Sequence, residues 1–332
     1  SEVRNVESPA QLKALVAGLQ ALAATRLLVA IDEEGGLVAR LDQRHGFPPT
    51  TSAADLGKRD DIEFTQEAGH KIAETLAAVG VNLNLAPVVD LNVNPTNPII
   101  GALGRSFSAD PAIVTAQAEA FIAGHRAAGV RTTLKHFPGH GSSTGDTHLG
   151  VVDVTGTWSR TELEPFANII RDGSADAVLT AHVFNATLDP NRPATLSEPT
   201  ITGILLPELG WDGLVVSDDM PVGAIRQAVA YEDAPRLSIP AGQDMLATAR
   251  AAWVGARTGL LSPKDLELNT QTEFIYEPGP LSLIVALLAG AAGMLSTTSQ
   301  KSAALVGVFI SVTTVPAAGY IAVAAVLGKW SQ

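Results

Sequence analysis

The chain has 332 residues, enough for one large α/β domain with an appendage or for two ordinary domains. Its formal charge of -12 argues against a nucleic-acid surface, which needs a basic face. The absence of cysteine excludes disulfides and thiolate metal sites, and a start at Ser1 rather than Met makes the missing charged-then-apolar leader weak evidence about targeting.

Ser8-Pro9 reads as a cap followed by proline at the first helical position, and Leu12, Leu15, Val16, Leu19 and Leu22 recur on one face, which predicts a helix to about Ala24. Arg26-Leu-Leu-Val-Ala-Ile31 is a continuous apolar run of strand length, the pattern of a parallel strand covered on both faces, and it ends at Asp32. The alternation recurs. A helical pattern through Phe64, Ala68, Ile72 and Leu76 stops at Gly80, and Val81 to Ala86 is the next strand. Asp110-Pro111 caps a helix that stops at Gly129, before a short β-branched strand over Val130 to Leu134. Helices near Arg160 to Arg171 and Ile201 to Leu209 precede strands at Ala177 to Ala181 and Gly213 to Val216, with a weaker strand at Asp244 to Ala247. Alternating helices and strands of this kind make a parallel sheet.

The polar residues choose between sheet types. Asp32, Lys135 with His136, His182 and Asp218 all stand at the carboxyl ends of predicted strands. Residues converging on one rim from several strand ends fit a (β/α)8 barrel, whereas an open sheet gathers its ligands at a single switch point. Only six strands precede the tail.

That tail is apolar. No charged residue occurs from Pro278 to Gln300 or from Ser302 to Gly328, and both runs are long enough to cross a bilayer. The first reading is therefore two transmembrane helices, with membrane association through residues 278–328; the alternative is a pair of buried helices packed on a soluble core.

The chemistry concentrates in Lys135-His-Phe-Pro-Gly-His-Gly-Ser-Ser-Thr-Gly-Asp-Thr-His-Leu-Gly150, which sets three His, one Lys and one Asp among four Gly and a Pro. In it, Asp146 two residues from His148 can bond one imidazole nitrogen and leave the other to carry a proton. Of Asp218 and Asp219, only one can face the mouth from an extended segment; it serves as a carboxylate nucleophile or base, against the alternative of a helix cap. His136, His140, Asp146 and His148 form a rival metal set, whose spacing matches no helical zinc motif. Lys135, Arg40 and Arg105 supply donors and Asp32 can accept hydroxyls, which suits a polyhydroxylated, roughly neutral substrate better than a nucleotide.

Taken together, Ile31-Asp-Glu-Glu-Gly-Gly-Leu-Val-Ala-Arg40, Asn84-Leu-Ala-Pro-Val-Val-Asp90, Gly104-Arg-Ser-Phe107, the Lys135–Gly141 run with Asp146-Thr-His148, Thr180-Ala-His182 and Ser217-Asp-Asp-Met220 resemble glycoside hydrolase family 3, in particular its bacterial β-N-acetylglucosaminidase branch. The resemblance runs from about residue 4 to about 247. It implies a retaining glycosidase of the TIM-barrel class acting without a cofactor or metal on a carbohydrate substrate, terminal β-linked N-acetylglucosamine. Asp218 takes the nucleophile's place, and His148 with Asp146 the acid/base role. Asp32, Arg40, Arg105, Lys135, His136 and His182 fall among its substrate-binding positions. Against the family the chain lacks one or two first strands, and its tail resembles a piece of a bacterial multi-span membrane protein family of unknown function. The expected division is a barrel over 1–250, a linker over 251–277 and two apolar helices over 278–330 that could cover the open edge. The alternatives are a catalytically impaired, membrane-anchored sugar-binding protein and a β-glucosidase or phosphorylase of the same family.

Overall fold

The computed structural model describes residues 6–23, 25–230, 233–247, 308–315 and 318–325. A strand overlaps each of the six predicted runs, the third only at its last residue: β1 (Leu28–Ile31), then, after the small antiparallel hairpin β2 (Glu33–Gly35) and β3 (Val38–Ala39), β4 (Leu83–Asn84), β5 (Leu134–Phe137), β6 (Ala177–Thr180), β7 (Leu214–Asp219) and β8 (Met245–Ala247). β1 pairs parallel with β4, and β5, β6, β7 and β8 pair parallel in that order. Parallel bridges at Leu83 with Arg131 and Val88 with Lys135 join the two groups.

The tail corrects one expectation. Within the second apolar run, β9 (Val308–Val315) pairs parallel with β1, and β10 (Ala318–Ala325) returns antiparallel along β9 to lie beside β8. Residues 308–315 and 318–325 thus add two strands beside β1 and β8, where a helix was expected. Charge-free length does not separate a membrane span from strands; Val308, Ile310, Val312, Thr313, Thr314 and Val315 are β-branched, and the backbone edge of β1 is available to pair with them. The first apolar run, residues 278–300, lies outside the described residues. Among the described residues no helix is long and apolar enough to cross a membrane.

Helices cover the parallel staves: α1 (Pro9–Leu22), α2 (Ala53–Arg59), α3 (Ile62–Ala78), α4 (Pro111–Ala127) and α5 (Glu164–Arg171). Their starts follow from local chemistry, since the side chains of Ser8, Asp61 and Asp110 accept hydrogen bonds from the otherwise orphaned N–H groups of Gln11, Phe64 and Ala112.

Strand alternation then divides the core in two. Leu134, Val178 and Val215 face outward, where they meet Val114, Ala118 and Ile122 of α4 and Phe166 and Ile169 of α5. Leu179, Val216 and Met245 are in register and meet Ala30, Leu83 and Leu85 inside the barrel. Each such aliphatic side chain contributes about 1.5–3 kcal/mol when fully buried. Lys135 pairs in register with Leu179 and so shares that layer of the interior face, from which its long side chain reaches the carboxylates at the exit of β1.

Here the strand reading shifts. The β-branched run Val130–Leu134 suggests a strand ending before Lys135, yet β5 includes Lys135 and His136. Polar side chains on the barrel axis hide the strand from a hydrophobicity pattern, and both residues are buried.

Candidate active site

At the exit of β1, Asp32 and Glu34 both reach Lys135, while Glu33 between them accepts the backbone N–H groups of Arg40 and Leu41. Lys135 Nζ lies 2.8 Å from Asp32 Oδ1 and 2.6 Å from Glu34 Oε1. Arg105 grips Glu34 in bidentate fashion, Nε to Oε2 and Nη2 to Oε1, both at 2.7 Å, and its Nη1 donates to the Ile99 carbonyl. Burial alone would raise the Glu34 carboxyl, but the charges and hydrogen bonds of Arg105 and Lys135 hold it well below the usual carboxylate range. Two cations and two carboxylates therefore form a rigid, charge-balanced floor.

Asp90, fully buried, fixes the next piece. Its Oδ2 lies 2.7 Å from His136 Nδ1, while its Oδ1 accepts the backbone N–H groups of His136 and His140. With Nδ1–H donating to Asp90, His136 Nε2 is left as an acceptor, and Arg105 Nη2 lies 3.3 Å from it. Glu162 completes the loop stem: its Oε2 accepts the N–H groups of Gly141 and Ser142.

Beyond Gly145 the loop reaches the surface. Asp146 Oδ1 accepts the His148 N–H at 2.8 Å and lies 2.7 Å from His148 Nδ1, so Nδ1 carries a proton toward Asp146 and Nε2 is left facing outward. The His148 side chain is 47% exposed.

On the opposite side, β7 carries Asp218. Burial would raise its carboxyl, yet it lies well below the ordinary range because His182, His136 and His148 are all near enough for their charges to act on it. Its Oδ1 accepts the Asp219 N–H at 2.7 Å. Neither Asp caps the following helix over Gly223–Ala228, whose N-cap is Val222 without a side-chain bond. His182, just past β6, is buried; its Nε2–H donates to the Asp219 carbonyl at 3.0 Å and its Nδ1 lies 2.8 Å from the Thr195 hydroxyl.

The fold thus gathers Asp32, Arg105, Lys135, His136, His148 with Asp146, His182 and Asp218 around one mouth. Arg40 donates its backbone N–H to Glu33, and its Nε is buried without a hydrogen-bond partner. The rival metal set is not assembled, since His136 bonds Asp90, His140 Nε2 faces Thr147 and His148 bonds Asp146. Among the described residues no group of three or more His, Asp or Glu is arranged to hold a metal ion. Glu34, Asp90, Glu162 and Thr195 were not singled out as site residues from sequence. Glu34 and Asp90 each lie in a stretch that carries the family resemblance, Ile31–Arg40 and Asn84–Asp90, which was the available signal; Glu162 and Thr195 offered none.

The sequence matches the Glycosyl hydrolase family 3 N terminal domain over residues 1–262. It also matches a Domain of unknown function, DUF389, over residues 219–332. A beta-hexosaminidase of Tolumonas auensis is 36% identical over 267 residues, covering 78% of each chain. One of Xylella fastidiosa strain M23 is 40% identical over 250 residues, covering 73% of each. Among solved structures, NagZ from Neisseria gonorrhoeae in complex with N-trifluoroacetyl-D-glucosamine superposes with a TM-score of 0.70 at 30% identity, over 87% of this chain and 85% of that one. A family 3 beta-N-acetylglucosaminidase from Paenibacillus sp. str. FPU-7 gives a TM-score of 0.70 at 33% identity, over 91% of this chain but only 57% of that one.

Proposed function

Starting from a chain that belongs to glycosyl hydrolase family 3 and is a glycosidase, we propose that it removes terminal β-linked N-acetylglucosamine from chito-oligosaccharides or peptidoglycan fragments. The names of its relatives support the sugar. One arrangement carries the chemistry: Asp218 lies close enough to His182, His136 and His148 for their charges to lower its carboxyl, and one nitrogen of His148 is bonded to Asp146, which leaves the other free for proton transfer.

In the first step an Asp218 oxygen attacks the anomeric carbon. The bond from that carbon to the departing oxygen breaks, and His148 passes its Nε2 proton to that oxygen. In the second, His148 takes a proton from water, the water oxygen attacks the anomeric carbon, and Asp218 leaves as carboxylate. Imidazole suits both halves because its unperturbed pKa of about 6.5 lets it give and take a proton near neutrality. Asp32, Lys135, Arg105 and His136 bind sugar hydroxyls and the acetamido group, with Glu34 and Asp90 holding them in place and His182 bracing the Asp218–Asp219 backbone.

The test is hydrolysis of a chromogenic aryl β-N-acetylglucosaminide by the purified chain beside Asp218→Asn and His148→Ala. Turnover by the parent, abolished in Asp218→Asn and cut by about 10² or more in His148→Ala, is expected. Equal turnover by parent and Asp218→Asn would overturn the assignment.

A further inference from the structure

The stretch Lys135–Gly150 is held unevenly. Its stem is buried and tied to Asp90 and Glu162, whereas its tip is open: Leu149 is 79% exposed and His148 half-exposed. The backbone of the tip is held by one element, the helix Gly223–Ala228. The Gly223 N–H donates to the His148 carbonyl and the Ala224 N–H to the Thr147 carbonyl, both at 3.0 Å. Gln227, one turn further on, then uses both ends of its amide. Its Nε2 donates to the Leu149 carbonyl at 3.3 Å, and its Oε1 accepts the Val151 N–H at 3.2 Å.

That helix begins just after Asp218 and Asp219, so the segment that carries the carboxylate also grips the loop that carries the imidazole. The fit is close. A Cβ on Gly223 would come within 2.6–2.7 Å of the His148 and Leu149 main chain, and one on Gly150 within 2.9 Å of the Gln227 amide. Asp146 sets the ring of His148, but nothing in the Asp146–His148 bond fixes where the pair stands relative to Asp218. The backbone bonds from Gly223 and Ala224 hold the near side, and Gln227 closes the far side, where the chain would otherwise swing into solvent.

We propose that Gln227 is a positioning residue for proton transfer: its amide latches the far side of the acid/base loop to the segment following Asp218 and sets the reach of His148 to the departing oxygen. The proposal rests on the reading of His148 as acid/base. A latch of this kind affects the reaction only where proton delivery matters. A dinitrophenyl leaving group departs without a proton, and a phenyl group needs one, while kcat/KM for either reports formation of the glycosyl-enzyme.

The experiment compares kcat/KM on dinitrophenyl and phenyl β-N-acetylglucosaminides for the full chain, Gln227→Ala, Gln227→Glu, His148→Ala and, as a control on the exposed face of the same helix, Arg226→Ala. Gln227→Ala is expected to lose about tenfold on the phenyl substrate and less than about twofold on the dinitrophenyl one, a fraction of what general acid catalysis supplies. Gln227→Glu keeps the acceptor for Val151 but cannot donate to Leu149, and falls on the same side. Arg226→Ala matches the parent on both. Equal losses on both substrates in Gln227→Ala, or none, overturn the latch while His148→Ala still shows the leaving-group dependence. If His148→Ala itself shows no such dependence, the acid/base assignment fails and the latch's role falls with it.

Discussion

Asp90 and His136 meet at 2.7 Å, carboxylate Oδ2 to imidazole Nδ1, while the other Asp90 oxygen accepts the backbone N–H groups of His136 and His140. One buried carboxylate therefore orients a ring and fixes the backbone that carries it. Burial would raise its pKa, and the neighbouring charges of His136 and His140 with these hydrogen bonds lower it instead. Asp90→Asn replaces an acceptor by a donor, so either the ring or the amides lose their partner. The expected result is a loss of about 10² in kcat/KM from misplacement of His136. Unchanged kinetics would mean that Arg105 alone suffices to hold the ring.

Glu34 is the centre of the charged floor, with Lys135 and Arg105 both on it. Glu34→Gln leaves two buried cations sharing Asp32. Removing one partner from a buried ionic network costs about 3–5 kcal/mol, and the lower end is expected here because Asp32 remains. Guanidinium unfolding followed by circular dichroism measures it. A loss below about 1 kcal/mol would show that Asp32 compensates both cations by itself.

Two buried carboxyls set the alkaline side of the stability curve. Burial pushes Glu33 up to about 8 against the amide bonds from Leu41 and Arg40, and Glu162 up to about 7 against the bonds from Ser142 and Gly141. Folding keeps protons on both that the unfolded chain releases near pH 4.5, so their contribution is full below that value and is lost as pH rises through about 7 and then about 8. His125 and His140 act in the opposite sense. Burial lowers both from 6.5 to about 4, so stability falls as pH drops from 6.5 toward 4. Of these four groups the two carboxyls are the ones that still titrate above pH 6.5, and the urea midpoint is expected to decline between about pH 6.5 and 8. Glu33→Gln and Glu162→Gln should each flatten that decline; a midpoint that rises over the interval in the parent contradicts it.

Glycine to alanine should act with opposite signs at two positions. A Cβ on Gly141 runs into the Leu91 carbonyl, backbone against backbone, so Gly141→Ala is expected to cost about 1–3 kcal/mol and to distort the loop stem. Around Gly18, in the middle of α1, nothing lies within 4 Å, and Gly18→Ala should stabilise by about 0.5–1 kcal/mol through helix propensity. Thermal unfolding of both variants checks the pair, and shifts of the same sign in both would contradict the packing argument at Gly141.

The staves were legible where the sequence is uniformly apolar, because a strand covered on both faces needs apolar residues on both. The same property hid β5, whose Lys135 and His136 point to a barrel axis lined with partners, and misled the reading of the tail. Val308–Val315 and Ala318–Ala325 are as apolar as a membrane helix, and only the unpaired edge of β1 distinguishes the outcomes. Asp218, His148 and Asp146 stood out as candidates because the first follows an apolar run and the other two sit two residues apart in a glycine-rich loop, and the structure brings all three to one mouth.

What the sequence determined by itself was therefore the order of helices and strands, the rim on which the polar residues fall, and the family to which the chain belongs. These depend on residue type and short spacing. What only the tertiary structure decided was which polar groups pair with one another: Glu34 with Arg105 and Lys135, Asp90 with His136, Glu162 with the loop stem, and Gln227 with the loop tip. Those partners stand far apart in the chain, and closing the barrel brings them within hydrogen-bonding distance in a medium where an unpaired charge is costly.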